Sequence, residues 1–469
     1  MSQTRTNATS GKRCDLIIQN GCVLTLDPQR NIFDPGALAI NGYSIAAVGS
    51  QAEVLAEWHS DRVLDARGGT IHPGFIDAHN HIVHGTSRGV LGSGMPSQAG
   101  VSFADWKADV TSDDEFVATQ LAALEMLRGG FTTFVEPGTA FDTDAVAAGA
   151  DAVGVRALLA APYLWDQVEV MRQLPGLESP SLYRRTPPDR ERCLRELDRE
   201  LRWNRHPTGR IHGYVSVYGL GTASDELLRA GKSIADAADV VFQQHEGYTP
   251  AASGADRERL GRSRIRHLEE LGVLGPRSTL IHMYVFEEDD LHILALSGTS
   301  VVTCPTAYLE LAISGQVGWR APEFRERGIT VALGTDGARS CVIGDAALCA
   351  FLMAASAGRR ITPATVLEMQ TVDAARSAGM SDRIGSLEPG KRADVVIRRA
   401  DAPELHPGVN PVHQLALTAR GGTVDTVIVN GEMVMRHGRS SCVDEELVLA
   451  AARNSVRMRM NRLGLSSAS

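Results

Sequence analysis

The chain has 469 residues, 43% of them hydrophobic and 22% charged, enough for one large core with a smaller satellite domain. A formal net charge of -9 without a lysine or arginine stripe argues against nucleic acid as a partner. The polar start MSQTRTNATSGKRCD carries no secretory-type apolar stretch, and no later run reaches the ~20 apolar residues of a membrane span, so no membrane and a cytoplasmic location are expected.

In chain order, DLIIQNGCVLTLD and GALAINGYSIAAVG are short β-rich runs broken by Asn20-Gly21 and Asn41-Gly42, which read as hairpin turns. The tail repeats that grammar in ADVVIRRAD and VDTVIVNGEMVMRHGR, with a third turn at Asn430-Gly431. Residues 1–72 and 385–469 are therefore expected to form one small β-sandwich built from both termini, with a terminal helix. Between them recur the apolar runs FTTFV, RALLAA, GYVSVYG, VVFQQH, TLIHMY, TSVVTC and ITVALGTD, joined by helix-like segments such as DEFVATQLAALEMLRGG. Short buried strands alternating with helices predict a parallel sheet, and this many units favours a closed TIM-like (β/α)8 barrel over residues 73–384. Cys14, Cys22, Cys193, Cys304, Cys341, Cys349 and Cys442 form no CxxC pair, and such a scattered odd set suits reduced thiols, most of them small core residues.

Catalytic groups of such barrels sit at the C-terminal ends of strands. The first strand-like run, TIHPGFIDAHNHIVHG, sets His79 and His81 two residues apart, so an extended chain turns both imidazoles to one face. His72 and His84 lack that pairing and read as supporting or structural. Three further runs end in candidate ligands: VVFQQH in His245, TLIH in His282 and VALGTD in Asp336. Imidazoles and a carboxylate suit one divalent transition metal; zinc is the default, with Fe²⁺, Co²⁺ and Mn²⁺ as the other candidates.

These motifs together carry a resemblance. PGFIDAHNH, AALEMLRGGFTTFVEPGT, LIHMYVFEEDDLHILALSGTSVVTCPT, GITVALGTDGA and IGSLEPGKRADVVI resemble, in order, the amidohydrolase superfamily, in its branch of atrazine and triazine hydrolases and cytosine or guanine deaminase-like proteins. The resemblance implies a metal held by His79, His81, His245 and Asp336, with His282 at or beside the metal and its water. It also implies a homo-oligomer. Some members bridge two metals with a carboxylated lysine; here FTTFVEPGT offers Glu136, and the nearest upstream lysine is Lys107, which favours one metal. Relatives of this branch usually carry a proton-shuttling glutamate three residues after the third metal histidine, where this chain has Tyr248. Glu246, next to His245, is then the candidate relay, with Asp336 and His282 as the other catalytic groups.

Tyr163, Trp165, Tyr218 and Tyr248 follow strand-like runs and are candidates to line a substrate pocket. The altered relay ranks hydrolysis of an acyclic C–N bond, in an amide, carbamate, thiocarbamate or aryl urea as in xenobiotic-degrading relatives, slightly ahead of deamination of an N-heterocycle. A non-catalytic scaffold is the third reading, and the five filled polar positions speak against it.

Overall fold

The computed structural model describes residues 11–90, 102–174, 177, 179–310, 319–337 and 342–465. Cys341 lies outside them, and among the described residues no helix is long and apolar enough to cross a membrane.

Strands from both ends of the chain share one nine-stranded sheet. At its centre Thr70–Pro73 pairs antiparallel with Val395–Arg398 on one side and parallel with Leu16–Leu24 on the other. Two of the three expected turns close hairpins: Asn41 pairs with Ser44, and Val429 pairs with Glu432 around Asn430-Gly431. Asn20-Gly21 does not. It lies inside Leu16–Leu24 as a register shift against Ile32–Asn41, with Asn20 at φ +57°, so the left-handed residue makes a bulge instead of a turn.

After Pro73 the chain leaves that sheet, and Phe75–Asp77 begins the α/β part. All seven apolar runs form strands there, and helices separate most of them. Local chemistry sets the helix limits. Ser112–Gly129, for example, starts at a reciprocal Thr111–Asp114 capping box and stops at Gly130, which adopts φ +87°. The strand ladders are parallel and fall into two runs instead of one closed ring. Phe75–Asp77, Phe131–Glu136, Arg156–Leu159 and Ile211–Gly213 form one; Val215–Gly219, Phe242–Glu246, Ser278–His282, Ser300–Thr303 and Val331–Leu333 form the other. The chain crosses between them at Tyr214, whose N–H donates to Leu159, while the Val215 N–H donates to Val241. At the far edges the Ala78 N–H reaches the Leu333 carbonyl at 3.0 Å, and Asn80 bridges Asp336.

Candidate metal centre

The strand tips converge. His79 and His81 follow Phe75–Asp77, His245 lies in Phe242–Glu246, His282 ends Ser278–His282, and Asp336 follows Val331–Leu333. The His79 ring centroid lies 4.8 Å from that of His81, 4.9 Å from His245 and 5.8 Å from His282. One ring nitrogen each of His79, His81 and His245 lie within 4.8 Å of one another, and so do a His79 ring nitrogen, Cys304 Sγ and an Asp336 carboxylate oxygen. His81 Nε2 stands 3.0 Å from Asp336 Oδ1.

Backbone bonds set this geometry. The Asp336 N–H donates to the His79 carbonyl at 2.9 Å, and the His81 N–H donates to the Asp336 carbonyl at 3.1 Å. Asp77 clamps the same two segments: it accepts from the Thr335 N–H at 2.9 Å and from the Asn80 amide at 2.7 Å. A Cβ on Gly334 would stand 2.8 Å from the His79 Cβ, so only glycine lets this strand end approach the histidine segment. Asp336 and His282 sit in the left-handed region, at φ +59° and +80°. For non-glycine residues that conformation costs about 1–3 kcal/mol and collects at functional sites.

The electrostatics favour a cation. Burial pushes the imidazoles of His79 and His245 well below their usual pKa, helped by the neighbouring rings, and brings His282 down to about 4. Neutral imidazole is the ligand form. Burial opposes ionisation of Asp336, but the His81 ring beside it, with His282 and His79 behind, outweighs burial and holds the carboxyl well below its ordinary range. His245 Nδ1 donates to the Tyr218 carbonyl at 2.6 Å, which leaves Nε2 with a lone pair. Neither nitrogen of the buried His79 has a partner, nor does His282 Nδ1. Unpartnered buried nitrogens are costly, and a divalent transition metal is the group that this donor set fits.

The other expected residues divide. Glu246 is not at the centre: alternation along the strand turns it away from His245, towards Arg264, Asp256 and the Leu220 N–H. There it lines a separate cavity of about 260 Å³ with Ser263, Asp290 and Phe286. The relay expected for Glu246 therefore has no geometric basis. Tyr218 and Tyr248 do reach the site, with ring centroids 5.0 Å from His245 and 4.5 Å from His282 respectively. Trp165 is packed one layer behind, fully buried, its indole N–H spent on the Thr186 carbonyl. Tyr163 stacks between Phe141 and Tyr218 in the same layer. His84 stacks on His81 at 5.2 Å, whereas His72 binds Arg398 in the terminal sheet. Lys107 packs over the Phe103 ring. Cys304, directly after Ser300–Thr303, is a buried core residue as expected, and its sulfur also comes close to His79 and Asp336. Burial drives its thiol pKa well up.

The family model "Amidohydrolase family" matches residues 70–434. The chain belongs to the amidohydrolase family. It is a hydrolase acting on carbon–nitrogen bonds. It is 34% identical to a 5-methylthioadenosine/S-adenosylhomocysteine deaminase of Syntrophobacter fumaroxidans, over 94% of this chain and 97% of that one. It is 29% identical to a 5'-deoxyadenosine deaminase of Methanosarcina mazei, over 94% and 97%. Among solved structures, a zinc-bound adenosine deaminase from Xanthomonas campestris superposes with a TM-score of 0.82 at 26% identity, covering 96% of this amidohydrolase and all of that chain. The zinc complex of atrazine chlorohydrolase TrzN from Arthrobacter aurescens gives 0.77 at 23% identity, with 94% and 100% covered, a likeness of fold alone. The deaminase-named relatives favour the deaminase alternative over the acyclic C–N hydrolysis ranked first from the sequence, and the likeness to atrazine chlorohydrolase, being one of fold alone, does not support the expected role in xenobiotic degradation.

Proposed function

We propose that this amidohydrolase is an aminohydrolase of adenosine-type nucleosides, with His79, His81, His245 and Asp336 holding one divalent cation, zinc by default. The observation that carries the reading is the near full-length match to nucleoside deaminases, joined to the cluster of neutral imidazoles around an ionised Asp336. The two strand runs are read as one eight-stranded barrel, Ile211–Gly213 and Val215–Gly219 counting as one strand interrupted at Tyr214, with the strands of both termini as its companion domain. Tyr214 on one side and the Asn80–Asp336 bridge on the other support that closure.

A cation in this cluster supplies Lewis acidity, which makes water a nucleophile near neutral pH. The chain's own groups do the rest. Asp336, held ionised and 3.0 Å from His81 Nε2, is the carboxylate placed to take the water proton and return it to the departing amine. His282 is placed to stabilise charge that develops on the heteroatoms bonded to the attacked carbon. The Tyr218 and Tyr248 rings flank the imidazoles and offer apolar faces to a planar base. No side-chain nucleophile is required.

One observation favours the second reading, acyclic C–N hydrolysis. Tyr248 stands where the branch usually has its relay glutamate, and Glu246 faces away. A relay without glutamate suits leaving groups that need less help than a ring amine. Assay of the zinc-loaded protein for ammonia release from 5'-methylthioadenosine, S-adenosylhomocysteine and 5'-deoxyadenosine, beside amine release from aryl ureas and carbamates, separates the two. Ammonia from the nucleosides is the expected result. Turnover of the ureas or carbamates alone overturns the deaminase reading.

A further inference from the structure

The turn Glu136-Pro137-Gly138-Thr139 leaves the Phe131–Glu136 strand beside His81, and the Glu136 carboxylate is fully buried with no ion-pair partner among the described residues. The turn curls back so that the carboxylate of its first residue accepts from the N–H groups of its third and fourth. Glu136 Oε2 takes the Gly138 N–H and Oε1 takes the Thr139 N–H, both at 2.8 Å. Gly138 adopts φ +88°, and a Cβ there would lie 2.4 Å from the Ala161 carbonyl oxygen, so the tight turn depends on glycine.

The Thr139 hydroxyl completes the cradle. Its oxygen lies 2.5 Å from Glu136 Oε1 and 2.7 Å from His81 Nδ1. Burial pushes the Glu136 carboxyl up, but both of its oxygens already act as acceptors for backbone N–H groups, and a hydroxyl has one hydrogen, so that hydrogen is assigned to the carboxylate. The lone pairs left on Thr139 then require a donor from His81 Nδ1. This defines the neutral His81 ring as the Nδ1–H tautomer, with the Nε2 lone pair directed at the site. Nε2 then faces Asp336 Oδ1 at 3.0 Å, acceptor against acceptor, an arrangement that a cation relieves. With both of its oxygens committed inside the turn, Glu136 belongs to none of the metal-competent clusters among the described residues, and the role of bridging a second ion is not the one its geometry supports.

We propose that Glu136 and Thr139 are positioning residues that act through one another to lock the tautomer and ring angle of His81, and thereby set the affinity of the site for its cation. The inference rests on the metal-centre reading above. Outer partners of metal-binding histidines carry about 10- to 100-fold in metal affinity. Thr139→Val keeps the side-chain shape and removes both hydrogen bonds; Thr139→Ser keeps the hydroxyl.

The test measures Zn²⁺ affinity of metal-stripped wild type and both variants by competition with a chelating dye, with thermal melting of the same metal-free samples. Expected is a 10- to 100-fold weaker Zn²⁺ affinity for Thr139→Val, with affinity within about three-fold of wild type for Thr139→Ser. Should Thr139→Val not fold, Thr139→Ala removes the same oxygen without adding a methyl and is read in the same way. Equal affinity in a folded hydroxyl-less variant overturns the proposal, as does Thr139→Ser binding as weakly as Thr139→Val. Wild-type protein that binds no Zn²⁺ fails differently: it removes the metal-centre reading and this proposal together.

Discussion

Two histidines seven residues apart, His72 and His79, are both 0% exposed, yet they face opposite chemical situations. His72 sits in the terminal sheet with both nitrogens engaged: Nδ1 donates to the Pro73 carbonyl at 2.8 Å, and Nε2 accepts from Arg398 Nε at 3.0 Å. His79, past the point where the chain changes sheets, has a partner at neither nitrogen. Burial depresses both rings' pKa, so burial alone does not tell a structural histidine from a ligand. What separates them is whether the surrounding protein completes the ring's hydrogen bonds. The terminal sheet is finished by its own residues, and the strand tips are finished only by something the chain binds.

The strongest break of this contrast comes at Asp336. Asp336→Asn removes the site's ionised carboxylate, and a loss of at least about 10³-fold in kcat is expected, on the scale of a lost general acid–base group and a lost ligand together. Steady-state turnover with saturating zinc checks it; a loss below ten-fold refutes the assigned role. The histidine pair is next. His79→Ala is expected to lose bound metal, measured by elemental analysis, while its chelated form melts close to chelated wild type. His72→Ala is expected to keep its metal but to lose about 1–3 kcal/mol of stability in denaturant melts, because Arg398 Nε is left buried without an acceptor. If the two variants exchange these phenotypes, the distinction between them is wrong.

Much of the candidate site's placement was legible because its residues lie at or just beyond strand ends. His79, His81, His245, His282 and Asp336 each close an apolar run, and parallel strands gather those ends at one face. Strand alternation was harder to use, because it depends on where a strand stops. Phe242–Glu246 continues one residue past His245, and that single residue turns Glu246 to the outer face. Asn20-Gly21 failed for a related reason. A left-handed residue serves a turn or a bulge equally well, and the choice was made by Ile32–Asn41, which pairs across it from a distance in sequence. Thr139 carries no ligand signature at all. Its role exists only because the turn after Glu136 brings a hydroxyl under the ring of a residue 58 positions away.

A smaller effect separates the two neighbours of His245. Glu246→Gln is expected to leave kcat within about three-fold, since the carboxylate faces Arg264 and Asp256 instead of the site. Tyr248→Phe keeps the ring against His282 and removes the phenol, and a fall of about 10- to 100-fold in kcat is expected if the phenol donates a proton in turnover. Comparing both variants at saturating substrate decides between them. A large loss in Glu246→Gln with the metal still bound would restore the glutamate relay, and no loss in either would leave Asp336 as the sole proton carrier.

The smallest expected effect tests the same contrast through pH. His212, in the strand Ile211–Gly213, is a buried histidine partnered by protein: its Nε2 lies 3.1 Å from the Gly209 carbonyl oxygen and 3.3 Å from the Arg156 guanidinium. Burial, then the charge of Arg156, lowers its pKa to about 3. An unfolded histidine titrates near 6.5, so between these values the unfolded chain binds a proton that the folded chain refuses. The sign follows. The stability tied to neutral His212 is fully present above pH about 6.5 and is lost as pH falls towards about 3. Gln at this position cannot titrate, and its amide offers an acceptor for Arg156 and a donor for Gly209. His212→Gln should therefore melt near the wild-type temperature at pH 7.5 and above it at pH 5, in metal-free samples so that the strand-tip histidines are in the same state in both proteins. A melting difference that does not change between the two pH values would mean that His212 is not the group resisting protonation. The acid sensitivity would then lie with the other buried imidazoles, whose proton and metal equilibria are linked.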